Sequence, residues 1–190
     1  MNCRLVIPLV CLLVFASCHL PSPAPCVDFG APLVLGTVYG SSTGLAPGSI
    51  AFTTAGIPVI LRRFTMSSGN NSFGFAQLVN PPFVFASGQS LRLNNISVEF
   101  YFGNAQPVVQ MATLAFLDTG GNENLSINGA QYVGDIRSVP PSLAGVSISV
   151  STVPLSPPSL GVSGRLTLKG VIHTFAVGGQ EFWIDDLCVK

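Results

Sequence analysis

The chain has 190 residues, 48% hydrophobic and 8% charged, with 8 Lys+Arg balanced by 8 Asp+Glu. Ordinary soluble domains carry about 25% charged residues, so this chain depends on apolar burial, and its hydrophobicity excludes an intrinsically disordered polypeptide. A net charge of zero leaves no basic excess to displace counterions from phosphates, which argues against a nucleic-acid partner, and the length suits one domain with a sizeable core.

The chain opens on a short positive segment ending at Arg4, followed by the uncharged apolar run Leu5 to Ala16 (LVIPLVCLLVFA). A bilayer span needs roughly 20 apolar residues, so this run reads as the core of a signal peptide over residues 1–17. Phe15-Ala16-Ser17-Cys18 resembles the lipobox of bacterial lipoproteins, in which two small residues precede a Cys that is acylated and becomes the new N-terminus. Phe15 stands where that family usually has Leu. The resemblance implies a lipid on Cys18 and a membrane anchor in the cell envelope. The alternative is an ordinary signal peptide cut nearby, giving a secreted soluble protein with Cys18 unmodified.

Of the five cysteines, Cys3 and Cys11 leave with the signal and Cys18 takes the lipid. Cys26 and Cys188 remain, an even pair in an oxidising compartment, either disulfide-bonded or two buried thiols. Between lipid and domain, residues 18–25 include the Pro-rich HLPSPAP, which reads as a stiff extended tether. Residues 26–190 form the folded domain.

Within that domain no stretch sustains a 3.6-residue apolar period with capping signals, whereas period-two stretches are common. Strands are expected at Leu33–Tyr39, Ile57–Phe64 and Ser72–Val79, around Val98, Phe100 and Phe102, and at Val108–Leu117. Further strands are expected around Val146, Ile148 and Val150, at Leu166–Leu168, at Val171–Val177 and at Phe182–Ile184. Gly120-Gly121-Asn122, Asn128-Gly129, Lys169-Gly170 and Gly178-Gly179 supply turn chemistry between them, and the double prolines at 81–82, 140–141 and 157–158 must lie in loops or at edges. Roughly ten to twelve short strands without intervening helices predict an all-β, two-sheet antiparallel sandwich or a barrel. An outer-membrane barrel fits less well: several strands are short, prolines interrupt them, and the chain ends in Lys190 rather than an aromatic residue.

The early Cys26-Val27-Asp28-Phe29-Gly30, the Gly-Ser-Thr-Gly loops and the late Trp183-Ile184-Asp185-Asp186-Leu187 resemble secreted bacterial jelly-roll modules, carbohydrate-binding-module-like domains among them. The resemblance implies a jelly-roll-type β-sandwich whose first and last strands lie together. It also implies a structural Ca²⁺ held there by Asp28 and by Asp185 or Asp186, since hard Ca²⁺ takes 6–8 oxygen ligands. Adjacent strand residues point to opposite faces, so one of the two late acids is expected to join the site; the other reading makes all three solvated edge acids. The run Asp118-Thr119-Gly120-Gly121-Asn122-Glu123-Asn124 is oxygen-rich but lacks the spacing of an EF-hand, and it reads first as a Gly-Gly hairpin.

Catalytic motifs are sparse. His173 is the single histidine of the domain; Gly161-Val162-Ser163-Gly164 is no nucleophile elbow, and HExxH, phosphate-loop and dinucleotide fingerprints are missing. Glu99, Asp118, Glu123, Asp135 and Glu181 are available for glycosidase chemistry, but no spacing pairs two of them across a cleft. A non-catalytic module is therefore expected. One class of function is glycan binding, with Tyr39, Tyr101, Tyr132 and Trp183 as stacking platforms and Arg62, Arg63, Asn94 and Asn95 as hydrogen-bonding partners. The other is a structural role that meets envelope proteins. An exposed aromatic cleft favours the first, a broad apolar patch the second.

Overall fold

The structure, a computed structural model, describes residues 26–86, 88–103, 108–157 and 160–190; the expected signal peptide, Cys18 and the tether lie outside them. In chain order the strands are β1 (Cys26–Val27), β2 (Val38–Gly40), β3 (Ile50–Thr54), β4 (Ile57–Arg62), β5 (Phe64–Thr65), β6 (Asn71–Ser72), β7 (Phe75–Val79) and β8 (Ser90–Asn94). They continue as β9 (Ile96–Tyr101), β10 (Val109–Asp118), β11 (Glu123–Ile127), β12 (Ala130–Gly134), β13 (Ser142–Leu143), β14 (Val146–Pro154), β15 (Val162–Ile172), β16 (Thr174–Gly179) and β17 (Phe182–Val189). The helical pieces are short 3-10 turns, Ser41–Thr43 and Ile136–Ser138 among them.

The strands form two antiparallel sheets. Sheet A runs β13-β14-β15-β10-β17-β8-β7-β2 with β1 added beside β17, and sheet B runs β12-β11-β16-β9-β4-β3; β5 and β6 make a small ribbon. The chain crosses between sheets at β8→β9→β10→β11 and again at β15→β16→β17. As a result β8, β17, β10 and β15 are neighbours in one sheet, and β9, β16, β11 and β12 in the other. This interleaving is the winding of a jelly roll. The expected all-β sandwich is therefore the observed architecture.

Period two decides which side chains meet. From sheet B, Leu61, Val98, Phe100, Leu125, Ile127, Phe175 and Val177 point inward; from sheet A, Leu91, Leu93, Leu114, Phe116, Leu166, Leu168, Phe182 and Ile184 do so, and all are buried in one cluster. Phe100 stacks on Phe175 at 5.9 Å within sheet B, and Phe116 on Phe182 at 5.6 Å within sheet A. Each such side chain contributes about 1.5–3 kcal/mol when fully buried, which is how so sparsely charged a chain holds together.

The turn chemistry is redistributed. Asn128 and Gly129, with φ of 50° and 86°, close the β11–β12 hairpin as expected. Gly120 and Gly121 do not close a hairpin: they carry the chain from β10 in sheet A to β11 in sheet B. Lys169-Gly170 lies within β15 and Gly178-Gly179 within β16. At Gly178 any Cβ would collide with Ser97 of the neighbouring β9, so this glycine serves close strand approach rather than turning. The Leu33–Tyr39 stretch pairs only at its end, from Val38, and leaves Val34 and Leu35 exposed.

Strand β17 changes face midway. Phe182 and Ile184 face the core, yet so do Leu187 and Val189, because the β10–β17 register slips between Thr113 and Ala115 and Asp186 takes a φ of 48°. This is a β-bulge. Strict alternation would send Cys188 into the core; the bulge turns it outward beside Cys26, its partner across the β1–β17 pair, with Cα atoms 4.0 Å apart and the sulfurs bonded. The disulfide links residues 162 positions apart and ties the first strand to the last. Replacing Cys188 by Ala is expected to lower stability by about 2–5 kcal/mol. Urea unfolding with and without a thiol reductant measures this, and coincident midpoints would contradict it.

Candidate functional site

Three places in the sandwich gather polar side chains: a cleft on sheet B, an acidic group between the sheet ends, and the acids beside the disulfide. The cleft, about 440 Å³, lies on the outer face of sheet B. Its floor is the set of residues that alternate with the core row: Arg62 on β4, Ser97 and Glu99 on β9, Ala176 on β16, and Asn124 and Ser126 on β11. Arg62 and Glu99 face each other as a fork, with Nη2 donating to Oε1 at 2.8 Å and Nε to Oε2 at 3.2 Å. Arg63 and Gln131 are exposed at the rim. One wall is the β5–β6 ribbon, contributing Thr65 and Asn71. This wall is clamped from below: Thr65 N donates to Asn124 Oδ1 (2.6 Å), while Asn124 Nδ2 and Asn122 Nδ2 donate to the Thr65 carbonyl (2.8 and 3.1 Å).

Beside that clamp the inward rows of both sheets end in acids. On β10 the row Ala112, Leu114, Phe116 finishes at Asp118; on β11 the row Ile127, Leu125 finishes at Glu123. Asp135, just after β12, completes the group. One carboxylate oxygen from each of the three lies within 4.8 Å of the others, and among the described residues this is the only group of three or more His, Cys, Asp or Glu so arranged. Such a donor set can hold a metal ion.

Glu123 is 1% exposed. Its Oε2 accepts from Ile136 N at 2.8 Å, but Oε1 is buried without a partner among the described residues. Burial first, and then the neighbouring Asp118, push the Glu123 carboxyl up to about 8. Burial also raises Asp118, although Gly120 N donates to its Oδ1 at 2.8 Å. Asp135 is held low by Arg137, whose Nε donates to both of its oxygens at 2.8 and 3.0 Å.

The three acids expected to meet at the chain ends do become neighbours. Val27 and Phe29 point inward, so Asp28 shares the outer face with Asp185, and the β17 bulge gives Asp186 its separate direction. Each of the first two is turned onto local backbone, Asp28 Oδ1 accepting from Gly30 N (2.7 Å) and Asp185 Oδ1 from Asp186 N (2.8 Å). Asp185 is nevertheless 1% exposed, and burial, followed by Asp186 and Asp28, pushes it up to about 7 although the Asp186 and Phe29 backbone N–H groups both donate to its carboxylate.

The four aromatic candidates are dispersed. Tyr39 sits on the edge strand β2 against Phe52, with ring centroids 5.1 Å apart. Tyr101 is at the end of β9. Tyr132 reaches the cleft, but it lies opposite Leu125 in register, packs against the core and donates its hydroxyl to the Asp135 carbonyl at 2.9 Å. Trp183 is 6% exposed on the outer face of sheet A, in a separate cluster with Leu117 and Leu155, flanked by Phe83 and Phe85. The Arg92 guanidinium lies 5.5 Å from its ring and bonds Glu181. Of the four hydrogen-bonding candidates, Arg62 and Arg63 line the cleft, whereas Asn94 donates to Glu181 away from it. His173 is exposed at a strand junction.

No protein-family model matches this sequence, and no curated protein and no solved structure matches it. The geometry therefore carries the functional argument alone.

The buried acids fix the pH response of the metal-free protein. Glu123 and Asp185 are raised above their ordinary values, so the folded state holds protons that the unfolded chain releases near pH 4–4.5. The stability this gives is fully present below that pH and is lost as pH rises through about 7 and 8. In a chelator, stability is expected to fall between pH 5 and 9 by on the order of a few kcal/mol. Glu123→Gln should flatten the upper part of that fall. Denaturation midpoints that hold level or rise across this range would contradict the assignment.

Proposed function

We propose that this protein is an exported, non-catalytic binding module, anchored through a lipid on Cys18, that takes glycan in the polar cleft of sheet B. The carrying observation is the cleft itself: about 440 Å³, floored by the Arg62–Glu99 fork and rimmed by Arg63, Asn71 and Gln131. Paired and amide side chains of this kind offer donors and acceptors at fixed positions, which is what a hydroxyl-rich ligand requires. Recognition on a rigid sheet face costs little ordering entropy. The cleft's one aromatic residue, Tyr132, packs inward, so binding here rests on hydrogen bonds rather than ring stacking. The carboxylates at the joined chain ends are turned onto backbone N–H groups, Asp28 onto Gly30 and Asp185 onto Asp186 and Phe29, and carry no part of this reading.

A protein-partner reading draws on a different surface. Val84 is 92% and Val153 65% exposed. Val153 and Phe85 border a second, smaller hollow on sheet A, and among the described residues the outer edge of β14 is unpaired beyond Ile148.

Calorimetry against a panel of soluble oligosaccharides and polysaccharides tests the first reading. At least one is expected to bind, to lose about tenfold in affinity (about 1.4 kcal/mol) on Arg63→Ala or Gln131→Ala with unfolding unchanged, and to gain no new reducing ends. Binding by none of the panel, or binding indifferent to both variants, would remove the cleft. Mass spectrometry of the mature protein should find an acylated Cys18; an unmodified terminus upstream of it would remove the anchor.

A further inference from the structure

The geometry points to a hard divalent cation, of the calcium or manganese class, bound between the ends of the two sheets by Asp118, Glu123 and Asp135 and bracing the wall of the cleft. Two observations carry this. The first is convergence: three carboxylates from β10, β11 and the turn after β12, which belong to different sheets, bring oxygens within 4.8 Å of one another. The second is the unpartnered Oε1 of Glu123, on a side chain 1% exposed. Burying an acceptor without a donor is costly, more so if it is charged, and a fold retains that cost where a ligand relieves it.

Charge agrees with the assignment. Arg137 is the cation nearest the group and is already engaged by both oxygens of Asp135. Three carboxylates and one guanidinium leave two negative charges, which a divalent ion neutralises. All-oxygen donors select calcium, magnesium or manganese over zinc or copper, and carboxylates delivered by two strand ends and a turn suit the variable coordination of Ca²⁺ better than the strict octahedron of Mg²⁺.

The link to the cleft runs through sequence neighbours. Asn122 and Asn124 flank Glu123 and hold Thr65 and Ser67, so whatever fixes Glu123 fixes the clamp on the β5–β6 wall. This part rests on the glycan-binding reading; the cation site itself does not.

Thermal unfolding and calorimetry of the mature domain, with Ca²⁺ or Mn²⁺ alone against a chelator at pH 8, test the site. Cation at 100 times its Kd should raise Tm by about 5–10 °C. Glu123→Gln should abolish that rise while melting no lower than wild type in chelator, because an amide replaces a buried acid; a purely structural role for Glu123 predicts the opposite pattern. Asp185→Asn should keep the rise. No shift and no binding heat with either ion would overturn the proposal, as would a shift lost in Asp185→Asn but kept in Glu123→Gln. Where a glycan ligand is in hand, its affinity should fall several-fold in chelator and in Glu123→Gln. Intact ion binding with unchanged glycan affinity would remove the link alone, and no glycan binding in any form would remove the cleft while leaving the ion.

Discussion

The constraint that shapes this molecule is what happens where its inward rows run out. Along most of the sandwich, period two delivers one apolar residue from each sheet to the same layer, and dispersion and dehydration hold the layers together. At the end where β10 crosses to β11, the next residues in both rows are carboxylates, Asp118 and Glu123. Extending the core there would have joined the sheets by packing. The chain instead places acids there, with Asp135 and Arg137 at the same end and one Glu123 oxygen left without a donor among the described residues. A buried acid pair of this kind is costly unless neutralised, by protons at low pH or by a bound cation at higher pH.

The opposite requirement is met on β17. This strand is paired with β10 on one side and with β8 and β1 on the other, so it lies at the middle of sheet A. It must bury Phe182 and Ile184, then present a cysteine to the outside. A single residue out of register, Asp186, reconciles the two. Asp185 and Cys188 then share the outer face with Asp28 and Cys26, and the first and last strands close on each other there. The covalent tie and the buried acid are consequences of one backbone irregularity.

Much of this was legible in the residues. Val146, Ile148 and Val150 alternating with serines, or Phe182 and Ile184 around Trp183, state a strand and its inward face without help from elsewhere. The cysteine pair followed from compartment and number, and the structure joins it. Strands β8 and β11 are weak in the sequence because Ser90-Leu91-Arg92-Leu93-Asn94 and Glu123-Asn124-Leu125-Ser126-Ile127 each carry only two apolar residues in five. Their alternation is present, but polar residues surround it. Gly120-Gly121 reads as a hairpin in the sequence because local turn chemistry does not say whether the next strand pairs with the last or crosses to another sheet; that depends on long-range pairing. The acids of the group between the sheets are 118, 123 and 135, and only the placement of β10 and β12 at one end of the sandwich brings them together. The parity signal was available: Asp118 and Glu123 fall in step with Phe116 and Leu125, which places both acids inside.

The most direct measurement is a crystal structure grown with Mn²⁺ and recorded at a wavelength where manganese scatters anomalously. The account predicts an anomalous peak within about 2.6 Å of oxygens from Asp118, Glu123 and Asp135, with Glu123 Oε1 among its ligands. Well-ordered carboxylates at that place with no peak between them, and Glu123 Oε1 bonded to water or to Asp118 instead, would contradict it.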